Sequence, residues 1–167
     1  MKIVDNKALM LRVKNPARVL AAVPDSKQVD DNTVVVKWGV EQVQVLRALN
    51  FDAPSPIEGR YKWPGKFKPM EHQRETAAFF TMNKRAFCFS SPGVGKTASA
   101  IWAADFLMTQ KLVRRVLVVC PVSIMDAAWR NDLFTFAMHR RVDVAYGTAV
   151  KRRKIINSDA EFVVINY

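Results

Sequence analysis

The stretch Ser90-Ser91-Pro92-Gly93-Val94-Gly95-Lys96-Thr97 decides how the second half of this chain folds. An apolar run, Ala86 to Phe89, precedes it, and a segment with helical periodicity follows it through Met108. The small residues let backbone N–H groups curl around an anion, and the positive end of the following helix points at the same place. This order predicts a strand, a phosphate-binding loop and a helix.

Two side chains of the loop carry the predicted chemistry. In such a loop Lys96 reaches the β- and γ-phosphates of a nucleotide, and the Thr97 hydroxyl coordinates Mg²⁺. We therefore predict ATP and Mg²⁺ as cofactors, with Lys96 and Thr97 as catalytic residues and Thr97 as the metal ligand. The other nucleotide contacts of the loop are predicted at Ser91, Pro92, Gly93, Val94, Gly95 and Ala98.

Two further patterns flank the loop. Upstream, Phe67-Lys68-Pro69-Met70-Glu71-His72-Gln73 ends a little over twenty residues before Lys96. Downstream, the apolar run Val116 to Cys120 continues into Pro121-Val122-Ser123-Ile124, and Trp129 follows. The apolar run predicts a strand that leads into a helix.

With these three patterns in this order, residues 67–167 resemble the front portion of the first RecA-like motor domain of Snf2-type helicases, which belong to helicase superfamily two. Such helicases often lack the first glycine of the strict loop pattern, where this chain has Ser90, and keep Gly-x-Gly-Lys-Thr. In these helicases the strand that corresponds to Val116 to Cys120 ends in Cys-Pro-Leu-Ser, which is similar to Cys120 to Ser123 in this chain. The run Trp102-Ala103-Ala104-Asp105 and the short spacings are most similar to compact bacteriophage members of the group.

The resemblance implies roles for residues outside the loop. In these helicases a glutamine at the separation of Gln73 reads the adenine edge, and a side-chain amide offers one donor and one acceptor for that task. The turn at Ser123 contacts the nucleic-acid backbone there, which implies a phosphate contact. Further backbone contacts are expected at Lys151, Arg152, Arg153 and Lys154. The expected partners are ATP or ADP and double-stranded or branched DNA, without sequence preference.

Several of these residues have simpler interpretations. Ser123 would serve as a helix N-cap in any case, and Trp129 is a core candidate. A basic run such as Lys151 to Lys154 can be a solvated helix face. The chain could also be another P-loop enzyme, such as a small kinase, although the Cys120-to-Ser123 turn argues against this. A non-catalytic nucleic-acid-binding or regulatory protein built from a truncated motor domain remains open.

Composition sets the broader limits. The 26 Lys and Arg against 15 Asp and Glu leave a net charge of +11, which attracts polyanions such as nucleic acid. Ribosomal, membrane-surface and heparin-type partners remain open on charge alone. Cys88 and Cys120 lie in apolar runs and read as buried core thiols. Without a signal peptide or a long apolar segment, we expect a cytoplasmic protein, in the host if it is viral.

The predicted fold class is α/β. A small α/β accessory module comes first in the chain, and a parallel-sheet, P-loop (RecA-like) domain, incomplete at its C-terminal end, follows it. We expect the module over residues 1–52, a Pro/Gly-rich linker over 53–69 and the motor domain over 70–167. The module weakly resembles those that bind duplex or branched DNA in annealing and branch-migration helicases. Lys37, Trp38 and Arg47 are candidate contacts, although Trp38 is a better candidate for the core.

A working motor of this type needs an Asp-Glu pair and an arginine finger from a second motor domain. The chain contains no Asp-Glu dipeptide and stops at Tyr167, after a predicted strand. We therefore expect an N-terminal fragment of a longer helicase, or a natural truncation. Such a chain would bind nucleotide and hydrolyse it poorly.

Overall fold

The computed structural model describes all 167 residues, which form two compact units. The N-terminal unit comprises residues 1–61 with 81–84, and the C-terminal unit comprises residues 62–80 with 85–167. Each unit contains one β-sheet with helices, and the C-terminal unit, whose sheet is parallel, has the predicted α/β class. None of the helices combines the length and the apolar character that crossing a membrane requires.

The N-terminal unit has an antiparallel sheet with strand order β1-β2-β4-β3. Its strands are β1 (Lys2–Val4), β2 (Ala8–Arg12), β3 (Lys27–Asp30) and β4 (Thr33–Lys37). Its helices are α1 (Pro16–Ala22), α2 (Val40–Ala48) and α3 (Pro56–Arg60). Apolar spacing in the sequence marks β2, α1, β4 and α2 to within a residue or two, whereas it marks neither β1 nor β3. Both are edge strands without a regular burial pattern, so they lack the alternation that marks a half-buried strand.

Local chemistry explains how this unit's elements begin and what anchors them. Asn15 caps α1 by accepting a hydrogen bond from the Arg18 N–H at 3.4 Å, and Pro16 occupies the first turn, where its missing N–H costs nothing. Trp38 is 1% exposed, and its indole N–H donates to the Pro54 carbonyl at 2.9 Å. Trp38 is therefore a core residue, which rules it out as a surface DNA contact.

The C-terminal unit has a parallel three-stranded sheet with strand order β5-β7-β6. The strands are β5 (Val116–Val119), β6 (Val142–Ala145) and β7 (Phe162–Ile165). The helices are α4 (Glu71–Met82, whose last two residues belong to the N-terminal unit), α5 (Lys96–Thr109), α6 (Asn131–Phe136) and α7 (Ala149–Ile156). The core lies on one face of the sheet, where Phe162 and Val164 pack with Ile101 of α5 and Leu133 of α6. The other face carries a smaller cluster around Val163 and Ala145.

Two predicted elements differ in the structure. Residues 86–89 form no strand: Phe87 is 81% exposed and Phe89 is 91% exposed, because no other strand pairs with this segment. For the same reason Cys88 is partly exposed, although Cys120 is buried as predicted; both thiols are free.

The predicted helix over residues 124–137 is instead a 3₁₀ turn (Val122–Ile124), a π-helical stretch (Met125–Arg130) and α6. Met125, Trp129 and Leu133 reach the same core at four-residue spacing. Residues at this spacing also share one face of an α-helix, so the departure from α-helical geometry does not change which residues reach the core.

Candidate functional site

The loop over residues 90–97 ends in the first turn of α5. Gly93 and Gly95 both have φ +82°, in the left-handed region that L-residues avoid. Gly95 also occupies the N-cap position, and no acidic side chain lies in the first turn of α5. The first N–H groups of this 14-residue helix therefore remain available, together with the positive end of its dipole, for an anion.

Lys96 lies over the loop that precedes it. Its ammonium group donates to the carbonyl oxygens of Ser90 at 2.8 Å and Ser91 at 2.9 Å. These contacts hold the charge beside the loop, within the region where phosphate groups would lie. Ser91, Pro92 and Gly93 are exposed, Val94, Gly95 and Thr97 are half-buried, and Ala98 is buried. The structure therefore brings the predicted nucleotide-binding residues together in one loop.

Gln73, on α4, contacts the same loop. Its amide nitrogen donates to the Val94 carbonyl at 3.2 Å, and its amide oxygen accepts from the Met70 N–H at 3.0 Å. These partners fix which way the amide points and leave one N–H and one oxygen lone pair for an adenine edge. A Cβ on Gly95 would lie 2.2 Å from the Gln73 nitrogen, so glycine is required for this close approach.

His72 makes a contact that sequence analysis missed. Its Nε2 lies 3.0 Å from the Val94 carbonyl, and a carbonyl only accepts, so the ring donates through a protonated Nε2. Two neighbouring side chains of α4 thus hold one carbonyl of the loop. The adjacency of His72 to Gln73 was the available signal, but an exposed histidine on a helix usually has no such role.

Aromatic packing fixes the segment that leads into α4. The Trp102 indole N–H donates to the Pro64 carbonyl at 2.9 Å. The Trp63 and Phe136 rings pack edge-on against Trp102, with centroids at 5.7 Å and 5.0 Å. The Arg74 guanidinium lies 5.8 Å from the Trp63 ring centre. The end of the Pro-rich segment therefore packs against the C-terminal unit, and the packing positions the start of α4 relative to α5.

A buried ion pair anchors the far end of α5. Asp105 is 1% exposed and accepts from Arg140 Nε at 2.5 Å and from His139 at 2.8 Å. Arg140 also donates to Glu161 at 2.7 Å, just before β7. Burial raises the pKa of Glu161, but the Arg141 N–H and the Arg140 side chain outweigh it and hold the pKa below its usual range. The network joins the nucleotide-loop helix to the central strand of the sheet.

The residues available for Mg²⁺ are few. No group of three or more His, Cys, Asp or Glu side chains is placed to hold a metal ion. The Thr97 hydroxyl at the loop therefore fits a magnesium ion that is bound mainly through nucleotide phosphates and water, which is how Mg²⁺ is commonly held. The left-handed glycines and the uncapped helix likewise fit the phosphates of ATP.

The predicted DNA contacts lie at one edge of the parallel sheet. Ser123 follows β5, and α7, which carries the predicted basic run, follows β6, so both begin at the carboxyl ends of strands, where ligands bind in open α/β sheets. Ser123 is exposed inside the 3₁₀ turn, so it is not the helix N-cap that its sequence context suggested. The Asn166 side-chain oxygen is buried without a hydrogen-bond partner.

The basic run lies on α7, which begins at the same edge. Thr148 caps the helix by accepting from the Lys151 N–H at 3.4 Å. Lys151, Arg153 and Lys154 are exposed, whereas Arg152 is half-buried and donates to the Asn166 carbonyl at 3.4 Å. Successive helical residues are about 100° apart, so the four cations do not share one face.

Comparisons with known proteins agree with the fold of the C-terminal unit. The chain is 26% identical to the Sulfolobus solfataricus SWI2/SNF2 ATPase core, solved in complex with dsDNA, with a TM-score of 0.54. The match covers 63% of this chain. The findings support the Snf2-like helicase family. The predicted parallel-sheet, RecA-like fold is confirmed, and the partial match fits an incomplete domain.

A curated plant protein gives a second match. The chain is 31% identical over 100 residues to the Arabidopsis thaliana protein CHROMATIN REMODELING 24. No protein-family model matches the chain. The chain spans only 22% of the Sulfolobus chain and 9% of the Arabidopsis protein. The Snf2-like similarity supports an ATP-dependent helicase or translocase as the kind of enzyme, for a full-length protein.

Proposed function

We propose that this chain is the ATP-binding part of a Snf2-like, ATP-dependent DNA helicase or translocase that remodels or unwinds duplex or branched DNA. The observation that carries the proposal is the Gln73 side chain against a loop with two left-handed glycines at the uncapped start of α5. The run Trp102 to Asp105 favours a compact bacteriophage-type member. We further propose a cytoplasmic location, in the host if the protein is viral.

The site residues have distinct roles in this proposal. Lys96, now held by the Ser90 and Ser91 carbonyls, would hold the β- and γ-phosphates, and Thr97 would be the protein ligand of Mg²⁺. Ser91, Pro92, Gly93, Val94, Gly95 and Ala98 supply the surrounding loop and helix start. ATP supplies the phosphoryl group for hydrolysis. The 167 residues contain no Asp-Glu pair, so we propose that they bind nucleotide without sustained turnover.

DNA contacts are proposed at the carboxyl edge of the sheet. Ser123 donates to a backbone phosphate from its exposed turn, and Lys151, Arg153 and Lys154 supply charge from α7. Arg152 contributes less, because its side chain is engaged with Asn166. We also propose the division into an accessory module (1–52), a linker (53–69) and a motor domain (70–167).

The base preference of the chain tests the proposal. Gln73→Ala should remove a two-point amide contact to adenine, worth about 1–3 kcal/mol by the scale of base-edge contacts in DNA. Calorimetry with Mg-ATP and Mg-GTP should show an ATP preference that this variant loses. Gln110→Ala, at the other end of α5, is the matched control and should keep it. Equal binding of ATP and GTP by the parent would contradict the adenine-reading role.

A further inference from the structure

One face of the sheet in the N-terminal unit is left open to solvent. The helix-facing side is fully buried at Leu9, Leu11, Val34 and Val36, and α1 packs there against β3 and β4. The residues between them, such as Met10 and Lys37, point to the opposite side and are exposed. Antiparallel partners share a face, so the strand register gives the composition of this open face.

The register places basic side chains across all four strands. Lys2 pairs with Met10, Met10 with Val35, and Val35 with Lys27, so one row crosses the sheet with a lysine at each end. In the neighbouring rows Lys37 pairs with Ala8, and Arg12 pairs with Thr33. All four basic residues of this open face (Lys2, Arg12, Lys27 and Lys37) are exposed.

Negative charge on the open face is confined to one corner. Asp30 pairs with Thr33, which pairs with Arg12 on its other side. Asp30 is the only acidic residue among the paired positions of the open face. Lys2, Lys27 and Lys37 therefore have no acidic residue among their strand partners. Lysine is rarely buried against protein without a partner, whereas phosphate oxygens supply its counter-charge directly.

We propose that the open face of the β1-β2-β4-β3 sheet binds the phosphodiester backbone of duplex DNA. Neighbouring strands are about 4.8 Å apart, so Lys2 and Lys27 lie about 14 Å apart at the two ends of their row. This span is close to the major-groove width of about 12 Å, whose edges are the two phosphate backbones. No aromatic residue lies among Lys2, Val4, Ala8, Met10, Arg12, Lys27, Asp30, Thr33, Val35 and Lys37.

The absence of aromatic rings favours duplex DNA over single strands. Proteins that grip single-stranded nucleic acid stack its bases on aromatic side chains, which this face lacks. The open face offers lysines around the small apolar pair Met10 and Val35. Such contacts hold phosphates and read no sequence. The proposal goes beyond the nucleotide site and stands whether or not residues 90–97 bind ATP.

The test uses the full chain without nucleotide and a fluorescent duplex. The triple variant Lys2→Gln, Lys27→Gln and Lys37→Gln should weaken binding in fluorescence anisotropy. Three lost phosphate contacts should also reduce the slope of log affinity against log salt by about 2–3. The charge-matched control Lys7→Gln, Lys14→Gln and Arg18→Gln alters exposed residues outside the open face and should change the slope by less than about 1. Circular dichroism should show both variants folded.

The outcomes separate this proposal from the one for the motor domain. Changing Lys151, Arg152, Arg153 and Lys154 to Gln tests the α7 contacts independently. A parent that binds no duplex, an open-face variant with the parent's slope, or equal losses in the open-face and control variants would each overturn the proposal. So would tighter parental binding to a single strand of the same length, if that binding depends on Lys2, Lys27 and Lys37.

Discussion

Residues 86–89, before the phosphate-binding loop, and helix α5, after it, are both apolar in sequence, but their side chains differ completely in burial. Phe106 of α5 is 1% exposed, whereas Phe89, just before the loop, is 91% exposed. Helix α5 also buries Ile101 and Trp102, at 0% and 1% exposure. The segment over residues 86–89 contributes its rings to a depression of 300 Å³ on the surface, together with Phe79 of α4.

The difference follows from where each element finds its hydrogen bonds. A helix satisfies its backbone within its own segment, so α5 needs only a surface on which to bury its apolar side chains. A strand needs a neighbouring strand, and the sheet of the C-terminal unit consists of β5, β7 and β6 alone. Strand β5 is paired with β7, and its Leu117 and Val119, which lie on the face opposite the main core, are 63% and 55% exposed.

The largest expected effect comes from truncating one phenylalanine on each side of the loop. Phe106→Ala should lower the free energy of unfolding by about 3–5 kcal/mol, because it leaves a cavity in the core. Phe89→Ala makes the same chemical change at an exposed site and should alter it by no more than about 0.5 kcal/mol. Urea unfolding followed by circular dichroism measures both. Similar losses for the two variants would show that residues 86–89 pack as a strand after all.

The junction between the two segments should be sensitive to glycine replacement. Both Gly93→Ala and Gly95→Ala force an L-residue into the left-handed region, at a cost of about 1–2 kcal/mol. Only Gly95→Ala also collides with the Gln73 amide, because nothing lies within 4 Å of a Cβ on Gly93. Titration with Mg-ATP should therefore show a larger loss of affinity for Gly95→Ala. Equal losses would argue against the Gln73 contact.

The anchor at the far end of α5 predicts a pH dependence. The pKa of Glu161 is lowered in the folded protein, so its stabilisation is present above the unfolded glutamate pKa of about 4.3 and is lost as the pH falls through the folded value. Glu161→Gln should reduce stability by about 1 kcal/mol at neutral pH and by less at acid pH. Unfolding curves from pH 3 to pH 7 would show this convergence. A constant difference across that range would contradict the ion-pair assignment.

The smallest effect is expected from His72. Its hydrogen bond to the Val94 carbonyl is exposed, so His72→Ala should weaken Mg-ATP binding by about 0.5–1 kcal/mol. His72→Gln, which can donate from a similar position, should restore part of the loss. Failure of the glutamine variant to improve on alanine would mean that the imidazole ring acts through packing instead.

Much of this fold and site could be predicted from local patterns in the sequence. The helices α2, α4 and α5 follow from apolar spacing, and the loop residues from their glycines, because both signals are contained within one segment. Pairing between strands joins segments that are distant in the sequence. Local patterns therefore could not predict that residues 86–89 lack a strand partner, or that β1 and β3 pair as edge strands. The contact between His72 and Val94 depends on how α4 packs against the loop.

The central claim is that residues 90–97 hold the phosphates of ATP at the start of α5. Isothermal titration calorimetry of Mg-ATP binding to the parent, to Lys96→Ala and to Lys111→Ala tests it most directly, since Lys96 and the exposed Lys111 lie at opposite ends of this helix. Loss of a charge-assisted contact is worth about 1.5–3 kcal/mol, so Lys96→Ala should bind at least about tenfold more weakly while Lys111→Ala matches the parent. Equal affinity for all three proteins would contradict the nucleotide site.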